Sequence, residues 1–175
     1  MVKVVVINGA PGVGKTTFEE MCALYAENAW KNKIRVNITS TVDFVKDVAR
    51  LCGWDGTKTL RNREFLSDLK DLLTEWNDVP FKKIEQKIRM LENWHEDWIM
   101  FVDCREPQEI QKIKERLKAL TVIIRRPEAE DAETSNHADA EVLNYDYDLT
   151  IWNDCDKIEL ANKALEFMEY LEGEF

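Results

Sequence analysis

The sequence contains few of the residues that cross-link a small fold or interrupt its helices and strands. It holds only 6 glycines and 4 prolines in 175 residues, and its 4 cysteines lie far apart without a CxxC pair. That spacing indicates neither a disulfide framework nor a zinc site, and it favours a reducing compartment such as the cytoplasm. No apolar run approaches the roughly 18 residues of a membrane-spanning helix. Met1 leads directly into a β-branched stretch, so no secretory leader is expected.

Basic residues are also scarce relative to acidic ones. The chain has 24 Lys and Arg against 34 Asp and Glu, which gives a net charge of −10. Such a surface repels duplex nucleic acid and anionic lipid, so we expect neither a nucleic-acid partner nor a membrane partner. An anionic substrate must therefore be bound by a local basic cluster. The length fits one domain with room for an insertion.

Three of the 6 glycines lie in one stretch near the start, VVVINGAPGVGKTT. An apolar run leads into a Gly-rich loop and then into a helix-compatible segment, the order of a phosphate-binding loop. A Gly-rich turn between a strand and a helix is the plain alternative. In the first interpretation Lys15 adds a charge and Thr16 a hydroxyl for Mg²⁺, while backbone N–H groups bind the phosphates of ATP. The ATP-binding residues would be Gly9, Ala10, Gly12, Val13, Gly14, Lys15, Thr16 and Thr17.

The rest of the chain alternates apolar runs of strand type with helical periodicity. Strands are predicted at the start of the chain and at 34–39, 98–102, 120–124 and 149–152. Three helices separate the second and third strands, and 125–144 is polar and without period. The sequence therefore predicts an α/β, three-layer fold: a five-stranded, mostly parallel sheet with a helical insertion at about 41–96 and a lid at about 125–144.

Further candidates for chemistry follow the predicted strands. Asp103 ends an apolar strand and could hold Mg²⁺ together with Thr16, or could cap the next turn. Arg105, two residues later, would face the same crevice and bind phosphate. Arg126 opens the lid, where it could reach the phosphates or pair with the acids that follow. We take Lys15, Asp103, Arg105 and Arg126 as the catalytic candidates.

Substrate-binding candidates lie in the insertion and the lid. Lys58, Arg61 and Arg63 cluster at the start of a long helix, where they could bind an acceptor phosphate or form a solvated helix face. His137 is a lone loop histidine, a kind of residue that more often lies on the surface than in a site.

Taken together, these motifs resemble the phage-type deoxynucleoside monophosphate kinases of the P-loop nucleoside monophosphate kinase superfamily. The resemblance rests on FVKDVARLCGWD, FVDCREPQEIQKIKE, VIIRRP before SNHADAE, and YDYDLTIWND. It implies a single P-loop kinase domain, 1–175, which uses Mg²⁺ and ATP to phosphorylate a (deoxy)nucleoside monophosphate in the cytoplasm, the host's if the chain is phage-encoded. It also implies that Lys46, Arg61, Arg63 and Arg105 contact the acceptor, and that His137 faces the ligand.

Two alternatives stay open at this point. One is another small-molecule or polynucleotide kinase on the same fold, and the other is a nucleotide-gated switch or binding protein. The base, the sugar and the oligomeric state also stay open, with a homodimer as one alternative.

Overall fold

The computed structural model describes residues 1–29, 34–130 and 142–173. A five-stranded sheet runs through its centre in the order β2-β3-β1-β4-β5. Its strands are β1 (Val2–Asn8), β2 (Ile34–Ser40), β3 (Asp97–Asp103), β4 (Leu120–Arg125) and β5 (Leu149–Trp152). Every pairing is parallel, so the predicted sheet is confirmed and carries no antiparallel strand among the described residues.

Seven helices occupy the described part of the chain: α1 (Lys15–Ala29), α2 (Asp43–Leu51), α3 (Leu60–Asn77), α4 (Val79–Glu92), α5 (Pro107–Leu117), α6 (Pro127–Glu130) and α7 (Lys157–Glu172). Local capping explains two of their starts. Thr59 accepts a hydrogen bond from the Asn62 N–H ahead of α3. Asp156 accepts from the N–H groups of Ile158 and Glu159 at the start of α7. These contacts satisfy N–H groups that a helix start leaves unpaired.

The three layers follow from side-chain alternation in the strands. Val5 and Ile7 of β1 point to one face, where they join a core with α1 and α7. Val4 and Val6 point to the opposite face, where they join a core with α4 and α5. A strand buried on both faces reads as a continuous apolar run, as β1 and β3 do. The predicted three-layer architecture is confirmed.

The strand order fixes where a ligand can enter. β1 pairs with β3 on one side, Ile7 opposite Asp103, and with β4 on the other, Asn8 opposite Ile123. The chain after β1 runs to β2 on the β3 side, whereas the chain after β3 runs to β4 on the other side of β1. Open parallel sheets bind ligands at such a switch point, beyond the carboxyl ends of the strands. The loop from β1 to α1 lies at this point.

The helices between β2 and β3 do not all belong to one layer. α4 buries Phe81, Ile84 and Leu91 in the core beneath the sheet. α3 contributes Lys70 as its buried residue. Leu66, Leu69, Leu73 and Trp76 recur at helical spacing, yet Trp76 is 81% exposed. It lies about a third of a helical turn away from Lys70, so the inward face of α3 does not extend to this position.

None of the helices in the described ranges is both long and apolar enough to cross a membrane. All four cysteines are free thiols, as their spacing predicts.

Candidate active site

The loop from Gly9 to Thr16, here called the phosphate loop, joins β1 to α1. Gly12 and Gly14 have φ values of +86° and +92°, which L side chains rarely adopt. A Cβ atom on Gly9 would lie 2.7 Å from the carbonyl oxygen of Ile124. The three glycines therefore allow a turn and a close approach to β4 that other residues would prevent. The result is the strand, loop and helix arrangement of an anion-binding nest.

Asn8 fixes the first half of the phosphate loop from inside the protein. It is fully buried. Its Oδ1 accepts a hydrogen bond from Gly9 N–H at 2.8 Å, and its Nδ2 donates to the Tyr147 hydroxyl at 2.7 Å and to the Arg105 carbonyl at 3.3 Å. Burial raises the pKa of Tyr147 to about 12. The neutral phenol donates to the Val142 carbonyl at 2.9 Å. One side chain thus links the phosphate loop, the turn after β3 and the segment that precedes β5.

Asn153 fixes the second half of the phosphate loop. It is 4% exposed and follows β5. Its Nδ2 donates to the Val13 carbonyl at 2.7 Å, and its backbone N–H donates to the Arg125 carbonyl at 2.8 Å. A Cβ atom on Gly14 would lie only 2.4 Å from Asn153 Nδ2. The glycine therefore allows this close approach as well as the positive φ.

Lys15 and Asp103 meet at the carboxyl edge of the sheet. The Lys15 ammonium forms a hydrogen-bonded ion pair with the Asp103 carboxylate, and their side chains are 16% and 27% exposed. The Asp103 carbonyl accepts hydrogen bonds from Thr41 N–H at 3.1 Å and Ser40 Oγ at 3.2 Å. The strand end is therefore held from the β2 side. Two residues that the sequence placed far apart in the chain are brought together here.

Glu19 lies beside this ion pair and was not predicted. It is 1% exposed on α1, one turn beyond Lys15. Burial, and after it the Asp103 charge, raise the pKa of Glu19 to about 8, while the Lys15 charge opposes both. The signal in the sequence was a charged residue on the same face of α1 as Phe18 and Cys22, where an apolar residue is expected.

A second buried cation lies behind Asp103 and Arg105. Lys70 of α3 binds the carboxylates of Glu106 and Glu109, the latter at 2.7 Å. Burial opposes its charge, yet the two carboxylates raise the Lys70 pKa above its usual value. Cys104 Sγ lies 3.2 Å from the Glu109 carboxylate, and burial raises the thiol's pKa. This network ties the insertion to the segment that carries the catalytic candidates.

The basic candidates in the insertion lie on different surfaces. Lys58, Arg61 and Arg63 are all exposed. Arg61 and Arg63 are two residues apart on α3, so their side chains leave the helix about 160° apart. They therefore do not form one cluster on a single face. Lys46 lies on α2, 3.8 Å from Asp43 in a half-exposed pair.

Of the two site candidates in the predicted lid, Arg126 and His137, the structure describes Arg126. Arg126 forms an ion pair with Glu128 at 3.1 Å, the local pairing that the sequence left open. His137 lies outside the described residues. Thr16 is exposed at the start of α1, as a residue that meets a ligand must be.

An aromatic surface lies beside the phosphate loop. The Arg125 guanidinium stacks over the Trp152 ring at 4.9 Å, and Trp152 is 43% exposed. Both residues flank Asn153, through its hydrogen bond to the Arg125 carbonyl and through the chain. A flat, half-exposed surface of this kind can stack with a planar ring.

Comparisons with known proteins show likeness in the fold. No family model matches the chain, and no curated protein sequence matches it. The tunicamycin resistance protein of Deinococcus radiodurans matches with a TM-score of 0.53 and 13% identity, over 95% of each chain. Thymidylate kinase of Ehrlichia chaffeensis matches with a TM-score of 0.49 and 16% identity, over 97% of this chain and 98% of that one. Shikimate kinase of Bacteroides thetaiotaomicron has a TM-score of 0.47 and 13% identity, over the same shares.

Proposed function

We propose that the protein transfers the γ-phosphoryl group of ATP to the phosphate of a (deoxy)nucleoside monophosphate. The observation that carries the proposal is the phosphate loop, with Lys15 beside Asp103 at the switch point of a parallel sheet. This arrangement presents N–H groups, a helix N-terminus and an ammonium to one anion. The resemblance to phage-type deoxynucleoside monophosphate kinases supports the choice of acceptor.

We assign the phosphates and the adenine of the donor nucleotide to two neighbouring regions. The phosphates would bind the N–H groups of the phosphate loop and the Lys15 ammonium. The adenine would stack beside Arg125 and Trp152, whose ring is 43% exposed next to the loop. Asn153 connects the two regions, since it holds both Val13 and Arg125 through hydrogen bonds. A rigid link of this kind keeps the distance from base to phosphate fixed.

The residues present fit a magnesium ion. Mg²⁺ prefers oxygen ligands and is held by one or two carboxylates besides the nucleotide phosphates. Thr16 offers a hydroxyl and Asp103 a carboxylate, and Lys15 serves as the counter-cation of Asp103 in the protein alone. When bound, Mg²⁺ would neutralise charge on the β and γ oxygens. Lys15 would then turn from Asp103 to the phosphates.

The acceptor would lie between the end of β3 and the insertion. Arg105 lies two residues after Asp103, and its carbonyl accepts a hydrogen bond from Asn8. Lys46 lies one turn into α2, whose start adjoins the carbonyl of Asp103 through Thr41. Arg61 or Arg63 would complete the acceptor site when the insertion closes. These cations offset the repulsion between two phosphates in a chain of net charge −10.

The reaction requires little proton chemistry from the protein. The second pKa of a phosphate monoester is about 6, so the acceptor is mostly a dianion at neutral pH. The tasks of the protein are to align the two phosphates, to neutralise charge and to exclude water. We assign the exclusion of water to the helical insertion, about 41–96, and to the lid, about 125–144. Arg126 would reach the phosphates if lid closure breaks its pair with Glu128.

A coupled assay of ADP release tests this function with a panel of ribo- and deoxynucleoside monophosphates. We expect release to rise with at least one acceptor and to be abolished in Lys15→Ala, with Lys82→Ala, an exposed lysine of α4, as the matched control. Arg105→Ala should mainly lower kcat. Release that no acceptor stimulates would contradict the proposal and favour a nucleotide switch.

A further inference from the structure

Glu19 occupies a position on α1 that points toward the phosphate loop. It lies four residues after Lys15 and three after Thr16, so it falls on the helix surface between those two side chains. Side chains on a helix lean toward its N-terminus. The Glu19 carboxyl is therefore directed at the turn that carries Lys15 and Thr16, and the charges of Asp103 and Lys15 act on it more strongly than that of Glu20.

The Glu19 carboxyl is buried without a matching donor. Its residue is 1% exposed, and its Oε1 has no hydrogen-bond partner among the residues that the structure describes. A buried polar oxygen without a partner is costly and calls for an explanation. The neighbouring cation, Lys15, is already hydrogen-bonded to Asp103. Two carboxyl groups therefore lie beside one ammonium, and the Glu19 oxygen is left without a cation of its own.

We propose that Glu19 supplies a second carboxylate to the divalent cation site formed by Thr16 and Asp103. The inference rests on the proposed function, because the cation accompanies the nucleotide. It explains why a carboxyl is retained on the apolar face of α1, between Phe18 and Cys22. When a nucleotide draws Lys15 away from Asp103, the two carboxylates are left facing each other. A divalent cation at this point satisfies both.

Binding of Mn²⁺, an oxygen-seeking probe for the Mg²⁺ site, tests the inference without an activity assay. The free Mn²⁺ signal in electron paramagnetic resonance is followed during titration of the protein saturated with ADP. Glu19→Gln keeps the shape but removes the charge, and Glu20→Gln removes the adjacent, exposed carboxylate as a control. We expect Mn²⁺ affinity to fall roughly 10- to 100-fold in Glu19→Gln, as for lost supporting groups at other metal sites. Glu20→Gln should match the wild type.

The outcomes separate this inference from the proposed function. Equal Mn²⁺ affinity in the wild type and Glu19→Gln would overturn the role of Glu19 and leave the kinase proposal standing. A wild type that binds ADP but no Mn²⁺ would contradict both. Circular dichroism checks that Glu19→Gln is folded. If it is not, Glu19→Asp decides the question: the shorter carboxylate should bind Mn²⁺ more weakly than the wild type, and unchanged affinity would overturn the inference.

Discussion

Replacing Lys70 with Met tests whether the buried ion-pair network holds the insertion to the core. The Lys70 side chain is 9% exposed and lies between the Glu106 and Glu109 carboxylates, whose side chains are 40% and 13% exposed. Removing one member of a fully buried pair costs about 3–5 kcal/mol, because the remaining charge loses its partner. Once Lys70 is removed, water can solvate the half-exposed Glu106 carboxylate, whereas the Glu109 carboxylate stays buried without a cation. We therefore expect a loss of about 3 kcal/mol in the free energy of unfolding at pH 7.

Lys112→Met is the matched control for this substitution. Lys112 pairs with Asp78 at 2.8 Å, but both side chains are about one third exposed. Pairs in contact with water contribute about 0–1 kcal/mol. Urea unfolding at pH 7 measures both variants. If Lys70→Met loses no more stability than Lys112→Met, the ion pairs of Lys70 with Glu106 and Glu109 do not hold the insertion to the core.

The pH dependence gives this prediction a second readout. Burial opposes ionisation of Glu106, but the Lys70 charge prevails and lowers the Glu106 pKa below its usual 4.5. A lowered pKa contributes stability above the pKa of the unfolded chain, and that stability is lost as the pH falls through the folded pKa. The difference in the free energy of unfolding between the wild type and Lys70→Met should therefore become smaller below about pH 4. A difference in unfolding free energy that stays constant down to pH 3 would contradict the stabilising ion pair between Lys70 and Glu106.

Three further substitutions test the site. Gly14→Ala should lose about 1–3 kcal/mol of stability in urea unfolding, since its Cβ would meet Asn153 at 2.4 Å; an unchanged midpoint would refute the packing. Trp152→Leu should weaken ATP binding about fivefold by calorimetry, a loss of about 1 kcal/mol, and unchanged affinity would refute adenine stacking. Glu19→Gln should raise stability by at least about 1 kcal/mol at pH 8.5. Because the Glu19 pKa is raised from 4.5 to about 8, the wild type loses stability as the pH rises between these values; parallel pH curves for the two proteins would refute this.

The sheet and its helices were predictable because their signals are local. β1 and β3 are continuous apolar runs, and α5 begins at Pro107 and ends before Lys118, whose φ is +52°. The phosphate loop was predictable for the same reason, since Gly12 and Gly14 have a backbone requirement that the sequence itself displays.

The supporting contacts were not predictable, because they join residues far apart in the chain. Asn8 and Tyr147 are 139 positions apart, and Asn153 and Val13 are 140 apart. Their pairing depends on tertiary packing, which one sequence does not reveal. Glu19 and Lys70 did leave a trace, since each is a charged residue on an otherwise apolar helix face. A charge in that position indicates a buried partner or a site, but not which one.

Transfer of labelled phosphate tests the central proposal most directly. The protein is incubated with ATP labelled at the γ-phosphate, Mg²⁺ and each nucleoside monophosphate in turn, and the products are separated by ion-exchange chromatography. The proposal predicts that the label appears in the β-phosphate of one or more nucleoside diphosphates, and that Lys15→Ala shows no transfer. Label found only in inorganic phosphate, or only in unreacted ATP, with every acceptor would contradict it.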